Sequence, residues 1–169
     1  MTLLKQETQL ETIVVGLGEM QVSKELSVVL VCLGLGSCVG LCAYDPVTKV
    51  AGMAHIVLPS SDGRDAGKSP KYADIVVPAL VEEMCKLGAN AGRLIVKITG
   101  GAQMSTGAGS SAIFKTGEKN TEAIKETLAK HGLRLASSEL GGNHGRTVRL
   151  YVDSGRVSVA ATGSASTDI

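Results

Sequence analysis

Apolar residues in the first third of the chain fall into short runs, each closed by a turn signal. The runs are Thr12 to Val15, Ser27 to Leu33, Val39 to Tyr44 and Val50 to Leu58, ended by Gly, Asp-Pro or Pro-Ser. This region is predicted to be β-rich. From Pro70 to Leu87 the period changes, with Ile75, Ala79, Leu80, Met84 and Leu87 at helical spacing and Gly88 beyond the end as a stop. Ser69 before Pro70 suits the start of that helix. Arg93 to Thr99 reads as a short buried strand, and GGAQMSTGAGSSA from Gly100 forms a Gly/Ser loop of the kind that borders sites. Asn120 is expected to cap a second helix through Lys130, with Ala123, Ile124 and Leu128 inward and Gly132 as terminator. Leu133 to Ser138, Thr147 to Val152 and Arg156 to Ala161 follow as strands, the last two joined at Asp153-Ser154-Gly155. Gly163 to Ile169 is a polar tail expected to be loose.

Strands at both ends with only two helices between them do not give the regular β-α alternation of a doubly wound fold. The expectation is one α+β domain over residues 1–169, a layered sandwich of mostly antiparallel strands with two main helices packed outside.

Composition narrows the function. Lys and Arg number 17 against 16 for Asp and Glu, so no global field attracts a polyanion. With no Trp, one Phe and three Tyr, platforms for stacking bases are lacking, and nucleic acid is not an expected partner. Ser27 to Tyr44 carries no charge over nearly the length of a membrane span, but glycines and serines interrupt it and β-branched residues fill its first half. Two buried strands around a Gly-rich turn explain it better than membrane insertion. Glu7 and Glu11 lie where a secretory signal would need a basic start and an apolar stretch, so a cytoplasmic location is expected. Cys32, Cys38, Cys42 and Cys85 form no CxxC pair and no zinc spacing, which points to reduced thiols.

Two phosphate-binding patterns fail. GLGSCVG from Gly34 has its third glycine one position too late for a dinucleotide fingerprint, and GRDAGKS from Gly63 has Asp62 where a Walker loop needs glycine. Gly36-Ser37-Cys38-Val39-Gly40 is more informative. A cysteine among small residues after a β-rich run has a backbone that can bend sharply and a sulfur that a carbonyl can approach, the logic of a nucleophile elbow. The alternative is a small buried hydrophobe, the reading given to Cys42 and Cys85.

A nucleophilic thiol needs a base. His131 closes a helix and His144 lies in a GGNHGR turn, whereas His55 shares one face of an apolar strand with Ala51, Met53 and Val57. A satisfied core histidine is the alternative for His55. If Asp45-Pro46-Val47-Thr48 is a type I turn pairing Asp45 with Thr48, paired residue numbers add to 93 and Cys38 lies opposite His55. A one-residue slip would put them on opposite faces.

At this point the chain resembles the CheD family. Gly34 to Cys38, Asp45-Pro46 and Gly52 to Pro59 match its GLGSC, DP turn and GxAHxxLP pattern. Lys71 to Asp74, GGAQM from Gly100, GEKN from Gly117 and LGGNHGR from Leu140 follow in the family's order. The resemblance implies deamidation of glutamines on methyl-accepting chemoreceptors by a protein-glutamine glutaminase without a cofactor, and association with a CheC-type phosphatase. It assigns Cys38 as nucleophile through a thioester and His55 as base. The family's third catalytic residue is a threonine six positions before the cysteine, and here that position is Cys32. The rival readings are a non-catalytic adaptor binding receptor and phosphatase, and a Cys32–Cys38 redox pair.

Overall fold

The computed structural model describes residues 9–64, 69–104 and 115–169. Its layers run sheet, sheet, helices. The outer sheet holds β1 (Glu11–Val14), β3 (Val28–Leu35), β8 (Arg146–Tyr151), β9 (Val157–Ala161) and β10 (Thr167–Asp168), in that order. The central sheet holds β2 (Met20–Ser23), β5 (Val50–Ile56), β4 (Val39–Asp45), β6 (Ile95–Gly100) and β7 (Leu135–Leu140), again in spatial order. Two helices, α1 (Ala73–Lys86) and α2 (Thr116–Lys130), cover its far face. The expected α+β sandwich is therefore the observed one. Both sheets are mixed, however: among the described residues β1 runs parallel to β3 and β6 parallel to β7, and the remaining ladders are antiparallel.

Every residue of β4 and β5 is buried, because this hairpin is covered on both faces. Val39, Leu41, Val50, Ala54 and Ile56 meet Leu80, Met84, Ile124 and Leu128 of the helices. Cys42, Tyr44, Ala51 and Met53 point the other way, into a second cluster with Leu30, Cys32, Leu35, Val148 and Leu150. Each fully buried Leu or Met in these layers contributes about 1.5–3 kcal/mol. Double burial is also why β4, the second half of the uncharged stretch from Ser27 to Tyr44, is apolar on both faces. Among the described residues no helix is long and apolar enough to cross a membrane.

Several expectations are corrected. The β4–β5 loop has four residues rather than two: the Lys49 N–H donates to the Asp45 carbonyl at 2.8 Å and Lys49 takes φ 56°, so Asp45 pairs with Val50 and the register adds to 95. The strand Met20–Ser23 was not anticipated, since its four residues are too few to establish a period. The first helix starts at Ala73, because the backbone at Lys71 and Tyr72 is used to bridge Val57 and Leu58. The second starts at Thr116, so Asn120 lies inside it rather than capping it. Instead of hanging loose, the tail pairs β10 with β9, and Arg156 holds Asp168 at 3.1 Å. Of the Gly/Ser loop, Gly100 to Met104 is described and residues 105–112 lie outside the described residues, as does most of GRDAGKS.

Candidate active site

The ends of β3, β4 and β5 converge at one edge of the sandwich. A bulge between Cys32 and Leu35, with Gly34 at φ 63°, turns the chain out of β3 into the bend Gly36 to Cys38. Three successive carbonyls of that bend are held from outside. The Ala102 N–H donates to Gly36 at 2.8 Å, Asn120 Nδ2 to Ser37 at 3.0 Å, and the Gly101 N–H to Cys38 at 2.9 Å. Glycines make this packing possible. A Cβ on Gly100, which sits at φ 117°, would lie 2.3 Å from the Cys38 carbonyl oxygen, and one on Gly117 would lie 2.5 Å from that of Gly101. Arg146, buried, donates to the carbonyls of Gly141 at 2.6 Å and Gly100 at 3.4 Å, and its charge meets Glu139 at 2.6 Å. The GGAQM, GEKN and LGGNHGR motifs thus all bear on the support of the Cys38 bend.

His55 lies on β5 directly across from Gly40. The shift of register by two residues preserves side-chain parity, so Cys38 remains on the His55 face, one step along the diagonal. Gly40 has no side chain to stand between them, and a Cβ there would press on Val148 at 2.9 Å and Leu35 at 3.0 Å. His55 is 3% exposed. Its Nδ1 lies 3.1 Å from the Val15 carbonyl oxygen, a partner that can only accept, so Nδ1 carries the proton and Nε2 a lone pair. That Nε2 is buried and has no hydrogen-bond partner among the described residues. The backbone of His55 is tied as well, donating to Glu19 at 2.9 Å and accepting from Gly18 at 3.0 Å.

Burial pushes the half-buried Cys38 thiol up, against a smaller lowering by its own backbone N–H. Burial pulls His55 down, partly offset by the Val15 carbonyl and by Glu19. Both shifts favour a neutral thiol beside a neutral imidazole. Cys32 is fully buried in the inter-sheet cluster, where burial and the neighbouring Cys42 and Cys38 push its thiol far up, away from a thiolate. The hydrogen bond that fixes the His55 ring is donated to a backbone carbonyl, which leaves no trace in sequence. His131 is the C-terminal cap of α2, and His144 lies near Gly142. A cleft of about 430 Å³ begins at Gly101, beside the Cys38 bend, and is lined further by Gln103, Lys115, Glu118, Thr121 and Leu140.

Comparison with known proteins decides the family. The sequence model described as CheD chemotactic sensory transduction matches residues 57–161. The chain belongs to the CheD family. That match begins beyond Cys38 and His55, but full-length relatives extend it. The probable chemoreceptor glutamine deamidase CheD of Symbiobacterium thermophilum is 48% identical over 151 residues, covering 88% of this chain and 92% of that protein. The chemoreceptor glutamine deamidase CheD of Thermotoga maritima is 44% identical over 150 residues, covering 89% and 92%. A probable CheD of Archaeoglobus fulgidus is 42% identical over 147 residues, covering 87% and 91%. Alignments of that length necessarily span the Cys38 and His55 region.

Sequence reasoning missed Asn120 as a support of the CheD bend and read it as a cap. The available signal was its place on the inner stripe of an apolar helix face with Ile124 and Leu128.

Proposed function

We propose that this chain is a protein-glutamine deamidase that converts glutamines of methyl-accepting chemoreceptors to glutamate in the cytoplasm, with Cys38 as nucleophile and His55 as its base. The observation that carries the reading is the buried, unpartnered Nε2 of His55 on the Cys38 face, its tautomer fixed by Val15. The names of the relatives supply the substrate.

A glutamine amide is a poor electrophile, so hydrolysis proceeds in two steps. Cys38 Sγ bonds to the side-chain carbonyl carbon while its proton passes to His55 Nε2. The tetrahedral oxyanion is stabilised by backbone N–H groups of the bend. As the C–N bond breaks, Nε2 returns the proton to the departing nitrogen, which leaves as ammonia. Water then gives its proton to Nε2 and its hydroxyl to the thioester carbon, and the C–S bond breaks to leave glutamate and a restored thiol. Because both groups are neutral at rest, the proton moves with attack rather than before it. Cys38 and His55 form no hydrogen bond with each other in this structure. Such contacts often tighten only when substrate binds.

Cys32 fills the position of the family threonine, and its place in the core favours packing over orientation of His55. Association with a CheC-type phosphatase rests on family resemblance and is tested by sedimentation of the mixed proteins at micromolar concentration. The deamidase reading itself is tested by incubating a chemoreceptor cytoplasmic fragment with the protein and with Cys38→Ala. A gain of about one dalton per converted glutamine, and ammonia release, are expected only with the parent protein. Equal conversion by Cys38→Ala would remove Cys38 from the chemistry, and no conversion by either would leave the adaptor role.

A further inference from the structure

Where β4 and β5 reach Cys38 and His55, the ladder between them stops. Its last pair is Val39 with Ile56, and beyond it the Cys38 carbonyl and the Val57 N–H find partners elsewhere. The Cys38 carbonyl accepts from Gly101, and the Val57 N–H donates to Lys71 at 3.0 Å. Among the described residues, the Asn120 side chain lies across this opening. Asn120 Nδ2 donates to the carbonyl of Ser37 at 3.0 Å and to that of Val57 at 3.0 Å. Two acceptors on one side fix which way the amide faces, since its oxygen in that place would oppose two oxygens.

The Ser37 carbonyl and the Cys38 N–H belong to the same peptide unit, which is planar and trans, so they point in opposite directions. Pinning the carbonyl on Asn120 therefore aims the Cys38 N–H away from α2. The small lowering of the Cys38 thiol by its own N–H agrees, since it puts that N–H beside the sulfur. Resting on the assignment of Cys38 as nucleophile, we propose that Asn120 is a positioning residue that aims the Cys38 backbone N–H as an oxyanion donor and fixes the separation of β4 and β5 at the reacting pair.

Two features argue that stability is not the reason for Asn120. It interrupts the apolar inner stripe of α2, where Ile124 and Leu128 follow at helical spacing, although it is fully buried. Among the described residues its own Oδ1 is buried without a partner. A polar residue kept in a core with an unsatisfied atom is retained for something other than packing.

The test is steady-state kinetics on a glutamine-bearing chemoreceptor fragment, alongside alkylation of Cys38 by iodoacetamide, a displacement at carbon that forms no oxyanion. Asn120→Ala is expected to lower kcat by about 10²-fold, the typical effect of losing one oxyanion donor. KM and the alkylation rate should stay within about threefold of the parent. A kcat within that range overturns the proposal, and so does a parallel loss of kcat and alkylation, which would mark general collapse of the bend. Should Asn120→Ala not fold, Asn120→Asp keeps the volume but turns a carboxylate on two carbonyls. Its kcat relative to the parent should recover as pH falls and the acid group donates to one of them, and a flat ratio overturns the proposal. Ammonia release by the parent that is lost in Cys38→Ala is tested in parallel. If that dependence is absent, both readings fall, whereas an active parent matched by Asn120→Ala removes only the positioning role.

Discussion

The β4–β5 hairpin has two ends that use buried polar side chains in opposite ways. At the closed end the Asp45 carboxylate accepts from Arg93 Nη2 at 2.6 Å, Arg93 Nε at 3.1 Å, the Asn90 N–H at 2.9 Å and the Val47 N–H at 3.0 Å. At the open end His55 Nε2 and Asn120 Oδ1 are buried with no partner among the described residues. A buried polar group without a partner costs about 1–3 kcal/mol. The Asp45 carboxylate avoids that cost, which at the closed end falls only on the Thr48 hydroxyl, whereas His55 and Asn120 both carry it at the open end. A satisfied carboxylate holds the closed end, and the unpartnered imidazole and amide lie where the proposed chemistry is placed.

The comparison breaks most readily at His55. His55→Ala should reduce ammonia release by at least about 10²-fold, the usual worth of a general base, while His131→Ala at the end of α2 should change it little. Equal losses would mean that the unpartnered Nε2 is not the base. The second expectation concerns charge at rest. Because burial raises Cys38 and lowers His55, thiolate absorbance in the ultraviolet, parent minus Cys38→Ala, should develop only above the ordinary thiol value of about 8.5. The acid limb of kcat/KM, where His55 gains the proton that disables it as a base, should fall below the ordinary imidazole value of about 6.5. A thiolate already present at neutral pH would show that the pair rests as an ion pair.

At the closed end the expected change is in stability alone. Arg93 holds the Asp45 carboxyl well below the usual carboxylate range, so this contribution is complete above the unfolded value of about 3.9 and is lost as pH falls below it. Asp45→Asn should therefore lower Tm by several degrees near neutral pH, with the gap to the parent narrowing in acid and kcat unchanged. A gap that stays constant with pH would mean that the carboxylate charge is not what Arg93 stabilises. The smallest effect is expected at Cys32. With the His55 ring held by the Val15 carbonyl, Cys32→Ala and Cys32→Thr should each remain within about threefold of the parent rate. A clear rise in Cys32→Thr would show that a side-chain acceptor at this position still improves the ring's orientation.

Much of this architecture was legible from periodicity: the β-rich start and end, both helices, and the Gly-flanked cysteine. What was hidden has physical causes. The hairpin loop was misjudged because Lys49 adopts a left-handed conformation that glycine or asparagine would have announced. The pairing of faces survived only because the error was two residues, the period of a strand. Val15 could not be found at all, since its part is played by a main-chain atom. Asn120 was assigned to a cap because asparagine favours caps, and only the three-dimensional gap between β4 and β5 gives it another purpose.

The hydrogen bond from His55 to Val15 has a consequence for how this site can change over time. Any residue at position 15 brings a carbonyl, so no single replacement there deletes the group that fixes the ring. An alanine scan would pass over it. Exchanging the Val15–Gly16 amide for an ester weakens that carbonyl as an acceptor, and with Glu19→Gln as the control for the Gly16 N–H lost from Glu19 it reaches a part of the site that ordinary mutation cannot.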